Sequence, residues 1–123
     1  MKFMCLAIEE EEQLNALSPD EWTALRAETI AYVDSLRSSG RLVLTYALQT
    51  TRKAATVRVR AGRRLVTDGP FAEAKEVIGG FFILDVRDRE EALELASRWP
   101  SARFGVIEVR PIDEALREDK RYA

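Results

Sequence analysis

Two strand-like segments that are apolar on both faces constrain this fold more than any other feature. Residues 2–8 read KFMCLAI, and residues 77–86 read VIGGFFILDV. A strand with one solvated face alternates apolar and polar residues, whereas here both alternating sets are mostly apolar. We therefore expect both faces of the layer that contains these strands to be covered.

Two helices are predicted from their start and stop signals. Ser18 is a good N-cap, Pro19 suits the first helical position, and Glu21 completes a capping box. Gly40 stands where a helix of about 20 residues would end in a left-handed conformation. Residues 88–91, DREE, repeat the start signal for a second helix that Pro100 stops. Trp22 is expected to anchor the first helix in the core, with a place in a ligand pocket as the alternative.

Further strands are predicted at residues 41–48, 55–60, 64–66 and 104–112, with a hairpin turn at residues 61–63. The element order is close to the split β-α-β-β-α-β arrangement. The predicted fold class is therefore α+β, a ferredoxin-like split βαβ with an extra hairpin. A single domain is expected over residues 1–112, followed by a charged tail over residues 113–123.

Two helices can cover only one face of such a sheet. Exposing the other apolar face is unfavourable, because each Å² of apolar surface removed from water contributes about 25 cal/mol. A second copy of the same sheet is the simplest cover. We therefore predict a homodimer through the helix-free sheet face, in a dimeric α/β-barrel type of assembly.

Composition excludes several classes of function. The net charge of −2 gives no basic face for direct nucleic-acid binding and no polybasic membrane patch, and no apolar run is long enough to span a bilayer. A cytoplasmic protein is expected. The chain has no histidine, which argues against zinc sites and Ser-His or Cys-His catalysis, so neither metal nor cofactor is expected. The single cysteine, Cys5, is predicted to be a buried, inert thiol. The acidic run Glu9–Glu12 is expected to be a solvated loop.

The segment TVRVRAGRRLVTDGPFAEAKEVIGGFFILDV, residues 56–86, resembles the DGPF-domain branch of the YCII-related proteins. The resemblance extends more loosely to the first strand and to the FGVIEVRPI ending. It implies a ferredoxin-like fold and dimerisation in the α/β-barrel manner. In the YCII branch an aspartate with a histidine has suggested catalysis, but a His-Asp dyad cannot operate in a chain without histidine. Some members occur beside extracytoplasmic-function sigma factors, which implies an accessory or regulatory role.

Candidate site residues cluster around the turn Asp68-Gly69-Pro70-Phe71. Asp68 is expected to accept hydrogen bonds from its own turn, and its alternative role is a general acid or base at the rim of a cavity between sheets. Arg58 and Arg60 share one strand face and could pair with Asp68 or bind an anionic ligand. Phe71 is expected to pack the turn onto the core. Tyr46 could supply a phenol to the pocket, or simply pack on its strand.

Three functions remain open on the sequence. The first is a small dimeric binding or accessory protein, with a sigma factor as a possible partner. The second is a cofactor-free enzyme that acts on a small anionic organic substrate, with Asp68 as acid or base. The third is an interaction module that presents a sheet edge or its tail. The absence of histidine favours the first.

Overall fold

A computed structural model describes residues 1–115 and residue 122 of the chain. Its strands are β1 (Lys2–Glu10), β2 (Leu42–Ala47), β3 (Ala55–Arg60), β4 (Arg63–Asp68), β5 (Glu76–Asp85) and β6 (Val106–Pro111). Its α-helices are α1 (Glu11–Asn15), α2 (Pro19–Ser38) and α3 (Arg89–Ser97). Short 3₁₀ turns lie at Thr51–Lys53 and Pro100–Arg103.

The fold is α+β, built on an antiparallel sheet of four strands in the order β2-β5-β1-β6. Strands β3 and β4 pair with each other in a separate two-stranded ladder. The two strands that are apolar on both faces, β1 and β5, therefore occupy the centre of the sheet, where the sequence pattern places them. The hairpin forms an arm outside the main sheet.

One face of the sheet carries the core. Phe3 and Cys5 of β1 and Phe82 and Leu84 of β5 are buried there against α2 and α3. Trp99, just after α3, stacks on the Phe82 ring with the ring centroids 3.9 Å apart and the planes 10° from parallel. Cys5 is buried, as predicted. Burial raises the pKa of its thiol to about 12.

The opposite face, which we call the open sheet face, has no helix on it among the described residues. The register places Ile83 of β5 between Met4 of β1 and Leu44 of β2, and Leu6 beside Phe81. These five side chains are only partly buried. Its further apolar members are Ile8, Tyr46, Ile78 and Val106. The expectation that two helices cover only one face is therefore met.

Both predicted helix starts are confirmed. Ser18 and Glu21 form the reciprocal capping box, with Glu21 N–H donating to Ser18 Oγ over 3.1 Å and Ser18 N–H to Glu21 Oε1 over 2.9 Å. Asp88 caps α3 by accepting the N–H of Glu91 at 2.9 Å. Gly40 follows α2 with a φ of 75°, the left-handed conformation that ends many helices.

The expectation of a solvated loop at Glu9–Glu12 is wrong. Glu9 and Glu10 continue β1, because they pair with Val77 and Glu76 of β5, and Glu11 and Glu12 begin α1. Most of the predicted tail, residues 116–121 and 123, lies outside the described residues. In the described part of the chain, no helix is long and apolar enough to cross a membrane.

Candidate functional site

The predicted site around Asp68 does not converge within one subunit. Asp68 pairs with Ala55, so its side chain lies on the hairpin face of Val57 and Val59. Arg58 pairs with Leu65 and lies on the other face, as does Arg60. The predicted pairing of these arginines with Asp68 is therefore wrong for a single subunit.

The turn that follows Asp68 is held by the backbone. Gly69 N–H donates to the Ala54 carbonyl over 2.7 Å, and the Thr56 hydroxyl donates to the Gly69 carbonyl over 2.9 Å. Within the described part of the chain, the Asp68 carboxylate accepts no hydrogen bond from its turn. The expectation that this side chain shapes the turn by hydrogen bonding is therefore not met.

Phe71 does not pack on the core, which corrects that expectation. Its side chain is 80% exposed, and the Arg58 guanidinium lies 5.7 Å from the centre of its ring. That contact is a cation–π interaction on the surface of the arm. The same β3–β4 arm also exposes Val57, Val59 and Val66, so it has an apolar surface.

A concave site lies elsewhere, between α2 and the sheet, and is here called the α2 cavity. Its volume is about 400 Å³, which lies in the range of small-molecule sites. Residues of β1, β2, β5 and α2 line it, together with Trp99 and Ser101. Its apolar wall includes Trp22, Leu25, Val33 and Trp99.

Trp22 lines the α2 cavity and is 36% exposed, so it is a pocket residue and not the predicted core anchor. Tyr46 also borders this cavity, but its side chain leaves β2 on the open sheet face, because Tyr46 pairs with Phe81. Its predicted role as a phenol in a pocket stays a prediction. Its ring is 65% exposed and tilts against Phe81 at 6.1 Å between centroids. The residues that line the α2 cavity do not include Asp68, Arg58, Arg60 or Phe71, so the predicted site residues do not converge on it.

The glycine pair Gly79-Gly80 makes room for this cavity. Gly80 pairs with Ala7 and Ile78 with Ile8, so Gly79 is the extra residue of a β-bulge. A Cβ on residue 79 would overlap the Glu9 carboxyl group, and one on residue 80 would lie 3.0 Å from the Tyr46 carbonyl oxygen. Position 80 therefore favours glycine because backbone lies against it, whereas a side chain at position 79 would require the flexible Glu9 side chain to move.

Glu9 is the acidic group of the α2 cavity. It continues the alternation of Phe3, Cys5 and Ala7, so its side chain leaves β1 on the helix-covered face. It is half-buried, and burial raises the pKa of its carboxyl group, with a smaller contribution from the like charge of Glu11. Arg26 of α2 lines the same cavity with an exposed side chain.

Sequence reasoning missed Glu9 because the acidic run was read as a loop. The signal was present, since extending the period-two alternation of β1 by one step places Glu9 on the face of Ala7. Arg26 carried no comparable signal, because an arginine on an exposed helix is typical of any soluble surface. Among the described residues, no group of three or more Cys, Asp or Glu side chains is placed to hold a metal ion.

Comparison with known proteins identifies the family of the chain. The family model described as the YCII-related domain matches residues 1–115, almost the whole chain. The chain belongs to the YCII-related family. A relative from Rhizobium meliloti (strain 1021) is 34% identical over 114 residues, which cover 91% of this chain and 92% of the relative. That relative is described as an uncharacterized protein, so family membership leaves the activity to be inferred from the site.

Proposed function

We propose that this YCII-related protein is a homodimeric binding protein in which each subunit holds a small organic ligand in the α2 cavity. The observation that carries the proposal is that cavity, a recess of about 400 Å³ with an apolar wall and few polar groups. Pockets of this kind are typical of small-molecule sites. The proposed biological role is accessory or regulatory.

The dimer part of the proposal is supported by surface area. The chain exposes 9189 Å², whereas a monomeric protein of its mass, 14.0 kDa, exposes about 6,700 Å². A stable interface needs about 800 Å² from each partner. The open sheet face is apolar and central, and pairing two such faces would place Ile83 and Phe81 in a shared interior. The strand order β2-β5-β1-β6 is compatible with the ferredoxin-like topology that we propose for each subunit.

Two threonines on α2 allow a matched test of ligand binding. Both hydroxyls donate to the carbonyl oxygen four residues earlier, Thr29 to Leu25 at 2.8 Å and Thr23 to Pro19 at 2.9 Å. Thr29 lines the α2 cavity, whereas Thr23 is not among its lining residues. Thr29→Phe should therefore fill the cavity, and Thr23→Phe should leave it open.

Native mass spectrometry of protein purified from cells is the measurement. We expect a small organic molecule to accompany the wild type and Thr23→Phe, and to be absent from folded Thr29→Phe. Equal amounts of that molecule on both variants would refute the α2 cavity as its site. A wild type that carries nothing, and that no compound of a metabolite collection stabilises against heat, would refute the proposed function.

For the cellular role, we infer the cytoplasm as the compartment and an extracytoplasmic-function sigma factor as the partner. The DGPF motif at residues 68–71 and the resemblance to that branch support this inference. The exposed valines of the arm, Val57, Val59 and Val66, offer a surface for such a partner. Co-purification with a tagged sigma factor, lost in Val59→Glu, is the expected result.

The alternative function is a cofactor-free enzyme for a small anionic substrate, with Asp68 as acid or base. One observation favours it: in the described part of the chain, the exposed Asp68 carboxylate has no hydrogen bond or ion pair. The placement of Arg58 and Arg60 on the other face of the arm disfavours it. Turnover of a substrate by the wild type, lost in Asp68→Asn, would establish this alternative.

A further inference from the structure

The carboxylates of the four glutamates in the acidic run, Glu9–Glu12, differ in their hydrogen-bond and ion-pair partners. Glu10 pairs with Lys75 at 3.7 Å. Glu11 accepts the Thr51 N–H at 2.7 Å and the hydroxyls of Thr50 and Thr51 at 3.2 Å. Glu12 is exposed to water. Each of these three carboxylates therefore has a partner or free access to solvent.

Glu9 has neither a partner for its carboxylate nor free access to solvent. Its side chain is half-buried in the wall of the α2 cavity, and none of the described residues gives its carboxylate a hydrogen bond or an ion pair. The Arg26 guanidinium lines the same cavity but forms no ion pair with it. A half-buried acid without a partner is costly in its charged form. The Gly79 bulge nevertheless provides the space in which this carboxyl group lies.

The rest of the cavity defines the other end of a ligand. The apolar wall of the cavity includes Trp22, Leu25, Val33 and Trp99, which suit a flat or branched apolar group. A ligand that matches both the Glu9 carboxylate and the apolar wall has a positively charged hydrogen-bond donor on an apolar body. The negative charge of Glu11 acts on Glu9 and adds negative potential that also favours a cation.

We propose, on the basis of the function proposed above, that the ligand of the α2 cavity is a small organic cation, an ammonium group on an apolar body. The Glu9 carboxylate is its counter-ion, and the aromatic and aliphatic wall binds its body. The charged end enters at the Gly79 bulge, and the apolar end faces α2. No bond is made or broken in this binding step.

Three indole compounds of similar size test the charge preference: tryptamine carries an amine, tryptophol a hydroxyl and indole-3-acetate a carboxylate. We expect isothermal titration calorimetry at pH 7.5 to give tryptamine a Kd at least about tenfold below that of tryptophol. Both compounds can donate a hydrogen bond to the Glu9 carboxylate, but only the ammonium group adds an attraction between opposite charges. Indole-3-acetate should bind most weakly. Tighter binding of indole-3-acetate than of tryptamine would overturn the proposal and point to Arg26 as the residue that selects the ligand.

Glu9→Gln keeps the size of the side chain and removes its charge. In this variant the preference for tryptamine over tryptophol should disappear, while the affinity for tryptophol stays within about twofold. Glu12→Gln is the matched control, since it removes an exposed acid of the same run and should keep the preference. A preference that survives in Glu9→Gln would overturn the proposal.

The outcome also separates this inference from the proposed function. If the three probes bind the wild type equally and Thr29→Phe binds none of them, the cavity binds ligands but the cation preference is refuted. If no probe binds the wild type at millimolar concentration, the cation site is refuted. Native mass spectrometry of protein purified from cells then tests the proposed function independently, by the presence or absence of a bound molecule.

Discussion

The substitution Ile83→Glu tests the proposed dimer at the centre of the open sheet face. Ile83 lies between Met4 and Leu44 on neighbouring strands. Its chain neighbours Phe82 and Leu84 point the other way and are fully buried in the core. The substitution therefore places a carboxylate in the proposed interface without altering a core side chain, and the subunit should stay folded.

The expected loss of association is large. A charge moved into an apolar contact without a partner costs several kcal/mol, here taken as about 3 kcal/mol for each subunit. Two-fold symmetry doubles this to about 6 kcal/mol for the dimer. Since about 1.4 kcal/mol corresponds to a factor of ten, the dimer Kd should rise about 10⁴-fold. A nanomolar dimer would then dissociate at micromolar concentration.

Size-exclusion chromatography with light scattering measures the result directly. The wild type should have twice the chain mass of 14.0 kDa, and Ile83→Glu should have the chain mass itself. Ala24→Glu, on the exposed surface of α2, is the control that should remain dimeric. A wild type at the mass of one chain, or a folded Ile83→Glu that remains dimeric, would refute this reasoning.

Three further predictions concern the core, the thiol and the cavity acid. Phe82→Ala removes a fully buried ring that stacks on Trp99, and urea denaturation should show a loss of about 3–5 kcal/mol in the free energy of unfolding. Cys5, with a thiol pKa near 12 and no exposed surface, should react with a disulfide reagent at pH 8 only after denaturation; reaction at the rate of a free thiol would contradict its burial. Because the pKa of Glu9 is raised in the fold, the native state keeps a proton that the unfolded state loses, so its contribution to stability falls as pH rises above the ordinary glutamate value. Glu9→Gln should flatten that fall in pH-dependent melting curves, and an unchanged slope would contradict the assignment.

The architecture was predictable because it follows from local signals that agree with one another. The apolar residues of β1 and β5 identified the central strands, and the Ser18–Glu21 and Asp88–Glu91 signals identified the helix starts. The bulge at Gly79 lies at a glycine pair inside an apolar strand, a local pattern that indicates a bulge or a close backbone approach. Each of these features depends on residues close together in the chain.

The site was less predictable because it depends on which distant residues share a face. The sequence predicts a site at the turn that begins with Asp68. The pairing of Ala55 with Asp68, however, places the Asp68 side chain on the opposite face of the hairpin from Arg58. The face on which a hairpin residue lies depends on register, and a change of one residue reverses it. The α2 cavity is lined by residues of α2, β1, β2 and β5, which lie far apart in the chain and which no short motif brings together.

The positions of the aromatic residues have a practical consequence. The chain contains two tryptophans, Trp22 and Trp99, and both line the α2 cavity. Tryptophan fluorescence of the unlabelled protein therefore originates at the wall of this recess. A colourless, non-fluorescent compound that enters the α2 cavity should shift or quench the tryptophan emission. Ligand binding can therefore be followed without a label.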